Sequence, residues 1–390
     1  MNIPTVNRTA LASGGAIITV VTLGHFINDG FASLLTPLLP QIREQYGIDI
    51  GQTALLVAIM SLVGSVFQPV WGMVGDRVDR RFLAAIGPVL TSLGMVFIGY
   101  APNFWLLGVL VAVAGIGSAI FHPNAASYVA ANSSLEKRGL FASLFSAGGT
   151  AGLALGPVAA QLIGIRGLIW LLPIGLVMGA TSYLVTPATR RAAGPTKGWA
   201  EYRETFNGPI RALWGMSVLR SLSTVSYASL IGFQLKAQGL EVHIGWTLAT
   251  FNLASSIGGI IGGQLSDRLG RTRVLRSSVF GLIPLFVALV YSSPTNWWFY
   301  PLCFLVGGIA NATIPVAVVA AQEFAPNNVS TASAMMMGFS WGTAGVLFLA
   351  VGKLADFTGP IPAMLFSIAM LIPSVWLVLK LPEPPRAKIG

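Results

Sequence analysis

The sequence predicts an all-α membrane protein of twelve transmembrane helices arranged as two six-helix repeats, and three observations predict it. Of its 390 residues 54% are hydrophobic and only 9% charged, against about 25% charged in an ordinary soluble domain. Apolar runs close to the ~20 residues a helix needs to cross a bilayer recur along the whole length. The second half of the chain also repeats signature residues of the first at a nearly constant offset.

Taken in order, the first run covers 16 to 40 and is interrupted by LGHFINDGF at 23 to 31. It follows Arg8, as a signal peptide would, but no small-residue cleavage site follows it, so it reads as an uncleaved first span. Spans two (51 to 74) and three (82 to 101) are parted by GDRVDRR, and spans four (103 to 131) and five (139 to 163) by LEKRG. Span six (166 to 187) closes an N-terminal half, 1 to 187. The polar, Pro/Gly-containing stretch ATRRAAGPTKGWAEYRETFNG at 188 to 208 reads as a linker to the C-terminal half, 209 to 390. There, spans seven (208 to 236) and eight (243 to 265) are followed by SDRLGRTR. Span nine (274 to 293) is followed by SSPTN, span ten (297 to 321) by APNNVS, span eleven (330 to 354) by TGPIP, and span twelve runs from 360 to 380.

The net charge of +10 would suit a nucleic-acid partner if it were pooled, but it is distributed in alternate loops. One set holds Arg77, Arg80 and Arg81; Lys137 and Arg138; Arg190, Arg191, Lys197, Arg203 and Arg211; Arg268, Arg271, Arg273 and Arg276; and Lys380, Arg386 and Lys388. The other loops hold little beyond Arg43, Arg166, Lys236 and Lys353. By the positive-inside rule the first set faces the cytoplasm, which places both termini inside, as an even number of spans requires. The partner is then a lipid bilayer and not nucleic acid. The single cysteine, Cys303, lies in a span and excludes a disulfide framework or a cysteine metal site. No GxxxxGK[ST] loop is present, so transport energy has to come from an ion gradient. No enzyme-like constellation, metal site or cofactor is expected.

The clearest repeat sets Gly72, Asp76, Arg77, Arg80 and Arg81 against Gly263, Asp267, Arg268, Gly270 and Arg271, with Asp76 and Asp267 standing 191 residues apart. Gly149-Thr-Ala-Gly152 matches Gly342-Thr-Ala-Gly345, and Gly115 and Pro123 match Gly307 and Pro315. Parallel repeats of this kind place a substrate between the halves near the membrane midplane and permit one half to rock on the other.

These loops, GxxxDRxxRR after span two and GxxxDRxGR after span eight, resemble the signature of the major facilitator superfamily over the whole chain. Asp79 stands where that signature has glycine, and because aspartate tolerates a left-handed turn the turn is expected to survive. Gly152, Gly156 and Pro157 resemble the GxxxGP core of the superfamily's antiporter motif, although Ala160-Gln161 replaces the glycine pair that usually ends it. More narrowly, GHFINDGFASLLTPLLPQI, FQPVWGMVGDR, GIGSAIFHPNAA and SLFSAGGTAGLALGP resemble the fosmidomycin-resistance group of bacterial efflux transporters, most closely in the first half. The resemblance implies a monomeric protein of the bacterial inner membrane that exports small molecules by proton antiport, an anionic phosphonate being one candidate substrate. It also assigns Gly72, Asp76, Arg77, Arg80, Arg81, Asp267, Arg268 and Arg271 to stabilising the form closed on the cytoplasmic side. Simple charge anchoring of those loops is compatible with that role.

His25, Asn28 and Asp29 are spaced i, i+3, i+4 and share one helix face. A carboxylate facing lipid costs several kcal/mol, so the face points at protein or water. Asp29 is the candidate proton carrier, with His25 and His122 as further proton-coupling candidates; a polar packing seam is the alternative. Substrate contacts are expected from Asn28, Asp29, His122 and Arg220. Arg220 occupies the position equivalent to 29 in the second half, so an acid and a base stand at matching places. An anion drawn to Arg220 would free Asp29 to take a proton, whereas a cation would compete for Asp29 directly. A static Asp29–Arg220 ion pair is the structural alternative. His122 sits beside Pro123, one turn after Ser118, where it could relay protons; a structural histidine is equally compatible. His243 is expected at a solvated helix end, and Glu323 at the cytoplasmic surface. Three functions remain: proton-coupled efflux of a small organic molecule, proton-coupled uptake of a small anion or metabolite, and a sensor that keeps the fold without transport.

Overall fold

The computed structural model describes residues 13–75, 77–134, 137–188 and 203–385, and among them every regular element is helical. In chain order these are α1 (Gly14–Ala32), α2 (Leu35–Tyr46), α3 (Ile50–Ser61), α4 (Gln68–Gly75), α5 (Arg80–Val96), α6 (Phe104–Asn132), α7 (Arg138–Gly167) and α8 (Leu172–Val185). After residue 203 come α9 (Gly208–Ala237), α10 (His243–Leu269), α11 (Arg271–Val290), α12 (Phe299–Phe324), α13 (Val329–Ala334), α14 (Ser340–Thr358), α15 (Pro360–Ala369) and α16 (Leu371–Leu379). Asp76 and most of the stretch read as a linker lie outside the described residues.

Ten helical segments among the described residues are long and apolar enough to cross a bilayer. One of them, Leu140–Val185, is 46 residues long and turns back at Gly164, whose φ of 72° is left-handed, so it supplies two passes. The 30-residue helix α9 is long enough but too polar to count by composition, because it carries Arg220 and a run of serines. Its residues from Met216 to Leu235 are largely buried, so other helices, not lipid, surround it. A polar helix is tolerated there because its neighbours supply the partners that hydrocarbon cannot.

Helices from the two parts of the chain meet along three seams. The α2–α9 seam brings Lys236 onto Glu44. The α7–α10 seam packs Gly245 on the carbonyl of Pro157, and Asn252 donates to the Leu153 carbonyl at 2.7 Å. The α3–α14 seam is held at one end by Asp356. Its Oδ1 accepts from the backbone N–H groups of Ile50 (2.7 Å) and Gly51 (3.3 Å), while Oδ2 stands 3.2 Å from the Gly51 nitrogen. A carboxylate on the unpaired N–H groups that open a helix meets the positive end of its dipole. Lys353 bridges Asp356 (3.3 Å) and Asp49 (3.4 Å), and Asp49 itself caps α3 by accepting from Gln52 N–H. Deeper along this seam, two π-helical turns, Leu62–Val66 and Met335–Phe339, face each other. Such turns are rare and recur at functional sites.

Candidate functional site

The site is built from α1 outward. Asp29 Oδ2 lies 3.1 Å from His25 Nε2 one turn earlier, and Oδ1 lies 3.1 Å from Nε2 of His122, which α6 brings in from 93 positions away. Asn28 Nδ2 donates a third hydrogen bond to Oδ1 at 3.0 Å. The Asn28 side-chain oxygen accepts from the Thr91 hydroxyl on α5 at 2.9 Å, which fixes the amide's orientation. His25 Nδ1 contacts the backbone carbonyl of Phe145 on α7 at 2.8 Å, and His122 Nδ1 contacts the Ser118 carbonyl at 2.7 Å. The rings of His25 and Phe145 stack with centroids 4.2 Å apart. Every polar atom of the cluster therefore has a partner, as a buried polar network requires.

Close approach of α7 makes this possible. A Cβ at Gly149 would enter the His25 ring, and one at Gly152 would enter the carbonyl of Phe26 on α1. Glycine at these positions lets α7 lie on α1 at backbone distance, the use small residues have in membrane helix contacts. The stripe Gly149, Gly152, Gly156 thus seats the histidine, with Gly156 against Gly30 and Ser33.

Arg220 is placed elsewhere. Only 2% exposed, its guanidinium donates to Ser221 Oγ at 2.7 Å and to Asn311 Oδ1 on α12 at 3.4 Å. Asn311 donates in turn to Ser255 on α10 at 2.6 Å. No ion pair joins Arg220 to Asp29, whose ion-pair partners are the two histidines; among the described residues no carboxylate lies within 4 Å of this guanidinium. Each repeat-equivalent charge is satisfied inside its own part of the chain.

The loop motifs differ between copies. In the second, Arg271 bridges Asp267 and Glu323, the latter at 3.1 Å, and Glu383 accepts from the N–H of Arg271 at 2.6 Å. Glu323 is therefore part of that motif's network. Gly270 adopts φ 101°, where glycine is favoured. In the first copy, Arg80 donates to the Gly75 carbonyl at 3.1 Å, and Arg81 stacks on Tyr183, 4.1 Å from the ring centroid. Arg77 and Arg268 are exposed. The left-handed turn expected at Asp79 is absent: with φ −58° it serves as the N-cap of α5, accepting from Arg81 N–H at 2.9 Å. His243 is half-buried and bonded to the Tyr300 hydroxyl at 2.8 Å, not simply solvated. Cys303 is buried.

His25, Asp29 and His122 are also the described residues whose side chains could jointly hold a metal ion. Their contacts, 3.1 Å each, have the length of imidazole–carboxylate hydrogen bonds.

A fold of this kind, holding a buried carboxylate between two imidazoles, is that of a membrane transporter, and residues 21–348 match the family model of the Major Facilitator Superfamily. The chain belongs to that superfamily and is a multi-pass membrane transporter, not an enzyme. It is 27% identical over 375 residues to the fosmidomycin resistance protein of Escherichia coli (strain K12), covering 90% of this chain and 89% of that one. It is equally 27% identical over 373 residues to the MFS-type transporter YfnC of Bacillus subtilis (strain 168), covering 91% and 90%. The multidrug resistance protein MdtG of Proteus mirabilis (strain HI4320) is 26% identical over 367 residues, covering 88% and 87%. Among solved structures, a bacterial homolog of the human lysosomal transporter Spinster, in an inward-facing form, superposes with a TM-score of 0.75 at 14% identity, covering 94% of this chain and 96% of that one. The nucleoside transporter NupG superposes at 0.76 with 12% identity, covering 94% and 99%. At those identities the structures establish the fold alone.

Proposed function

We propose that this chain is a proton-coupled antiporter that exports a small organic molecule, with Asp29 as its proton-binding centre. The carboxylate buried in the first span between two imidazoles carries this reading, because an intramembrane acid on an otherwise apolar helix is costly and is retained where ions or substrates pass. Its two halves, 1–187 and 209–390 with the linker 188–208 between them, rock about a site at their interface. With the basic loops cytoplasmic, the seams closed by Asp356 and by Lys236–Glu44 lie at the outer end, so the form described is shut on that side.

The second half contributes Arg220, a buried cation with no carboxylate beside it among the described residues, which suits an acidic group on the substrate. Phosphonates come first among candidates, in keeping with the likeness to a fosmidomycin resistance protein. The test is a panel of phosphonates, fosmidomycin first, added to inverted vesicles that have built an inward-acid pH gradient. Export by antiport is expected to release protons from the vesicles on addition of the substrate. Proton movement in the opposite sense would identify an uptake symporter, and no movement with any compound would sink the antiport proposal.

A further inference from the structure

The hydrogen bonds around Asp29 allow its protons to be counted. The carbonyl oxygens of Phe145 and Ser118 can only accept, so Nδ1 of His25, at 2.8 Å, and Nδ1 of His122, at 2.7 Å, must each carry a hydrogen. Both Nε2 atoms are left facing the two oxygens of one carboxylate at 3.1 Å. Lone pair against lone pair at that distance is repulsive, so each contact contains a proton. We infer that His25, Asp29 and His122 form a seat for two exchangeable protons, one in each imidazole–carboxylate contact.

The count does not depend on whether a proton lies nearer nitrogen or oxygen. With both contacts filled the cluster carries a charge of +1; with both empty it carries −1. Neither ring can absorb a loss by changing tautomer, because its other nitrogen is committed to a carbonyl. The helices packed on α1 are α5, α6, α7 and α8. They bring Thr91, Ser118 and the Phe145 carbonyl to the cluster, and among the described residues no further charged side chain comes within ion-pair distance of Asp29. The three groups therefore form one closed hydrogen-bonded cluster. His122, whose side chain is 24% exposed against 12% for Asp29 and 10% for His25, is the port of entry.

The chain has only three histidines, which makes the test direct. Protein labelled with 15N-histidine, in lipid nanodiscs and without any substrate, is followed by NMR across the pH range in which it stays folded. His25→Gln, His122→Gln and His243→Gln serve to assign the signals. At the alkaline limit both cluster rings are expected as the neutral Nδ1–H form, and at the acid limit as imidazolium, with two protons taken up in two linked steps. His25→Gln or His122→Gln should reduce the uptake from two to one, while His243→Gln leaves it at two. A neutral Nε2–H ring at either position, or one ring that never changes state, overturns the inference.

The consequence for transport rests on the antiport proposal: two protons drive about 100-fold accumulation per pH unit where one drives about tenfold. The two ideas fail separately. If both rings titrate but Asp29→Asn still couples flux to pH, the seat stands and the antiport assignment of Asp29 falls. If Asp29→Asn uncouples flux but only one ring titrates, the seat falls and the assignment stands.

Discussion

Replacing Asp356 with Asn tests whether the contact between α14 and the start of α3 holds one end of the molecule shut. The carboxylate takes two backbone N–H groups at the N-terminus of α3, and its side chain is only 13% exposed. Asparagine keeps one neutral acceptor but loses the charge that makes these bonds strong and matches the helix dipole, a loss of about 1–2 kcal/mol. That corresponds to a roughly 5- to 30-fold gain in the population open at this end. Lys353 adds little, being 58% exposed, so Lys353→Met is expected to shift the same equilibrium by less than about fivefold. With Cys303 replaced by Ala, spin labels at positions 102 and 238, both exposed, report the separation by pulsed electron resonance. Asp356→Asn should move weight to the longer distance. Distance distributions that agree within twofold for wild type and Asp356→Asn would show that the bond closes nothing, and a larger effect of Lys353→Met than of Asp356→Asn would refute the helix-dipole argument itself.

Asp29→Asn is expected to abolish flux driven by a pH gradient while substrate exchange at equal pH persists; full pumping by this variant in vesicles would remove Asp29 from the mechanism. Gly149→Ala should push the His25 ring off the carboxylate and cost about 1–3 kcal/mol by overpacking, read as a lower Tm together with loss of pH-driven flux. Arg220→Gln should weaken binding of an anionic phosphonate roughly 10- to 150-fold, the worth of a hydrogen bond to a charged group, measured by calorimetry. Introduced cysteines near Arg203 should resist an impermeant thiol reagent applied from outside whole cells, and labelling there would contradict the charge rule.

Much of the fold was legible because bilayer physics acts on composition. The apolar runs and their charged punctuation mark the spans, and even α9 was within reach once length was weighed beside hydropathy. The pairing of His25 with Asp29 was legible too, since i, i+4 residues meet on any helix. His122 carried a local signal as a histidine inside a span, but nothing in the chain near it names its partner, because tertiary packing chooses it. The offset that aligns position 29 with 220 reflects the repeat, and equivalent positions in two repeats are related by the axis between them without having to touch. Asp79 was misread for a related reason. The glycine it replaces was taken to require a left-handed turn, whereas Asp79 uses its side chain as a helix cap and leaves the backbone ordinary. The charges that close the α2–α9 and α3–α14 seams, Lys236 and Lys353, were visible only as exceptions in otherwise sparse loops, and their acids could not be assigned without the seam itself.

The distribution of the two polar networks constrains how coupling can work. His25, Asn28, Thr91, Ser118 and His122 all precede residue 188, and Arg220, Ser221, Ser255 and Asn311 all follow residue 203. Rocking of one half on the other, as proposed, would break and make the α2–α9, α3–α14 and α7–α10 contacts but leave both networks whole. A change of proton load in the first cannot reach the second through a chain of bonds, because no bond crosses between them among the described residues. What does cross is charge and whatever ligand lies between. On that proposal, filling both contacts at Asp29 would shift the charge of the first network by two units while the guanidinium of the second stays fixed. An anion between the halves would then bind together with the protons, the coupling of the symport alternative, whereas a cationic group on the substrate would be repelled by the full seat, the mutual exclusion that antiport requires. On the antiport proposal, proton load would set the affinity for the substrate through that exclusion, and the helices would need only to respond to whether the space between them is occupied.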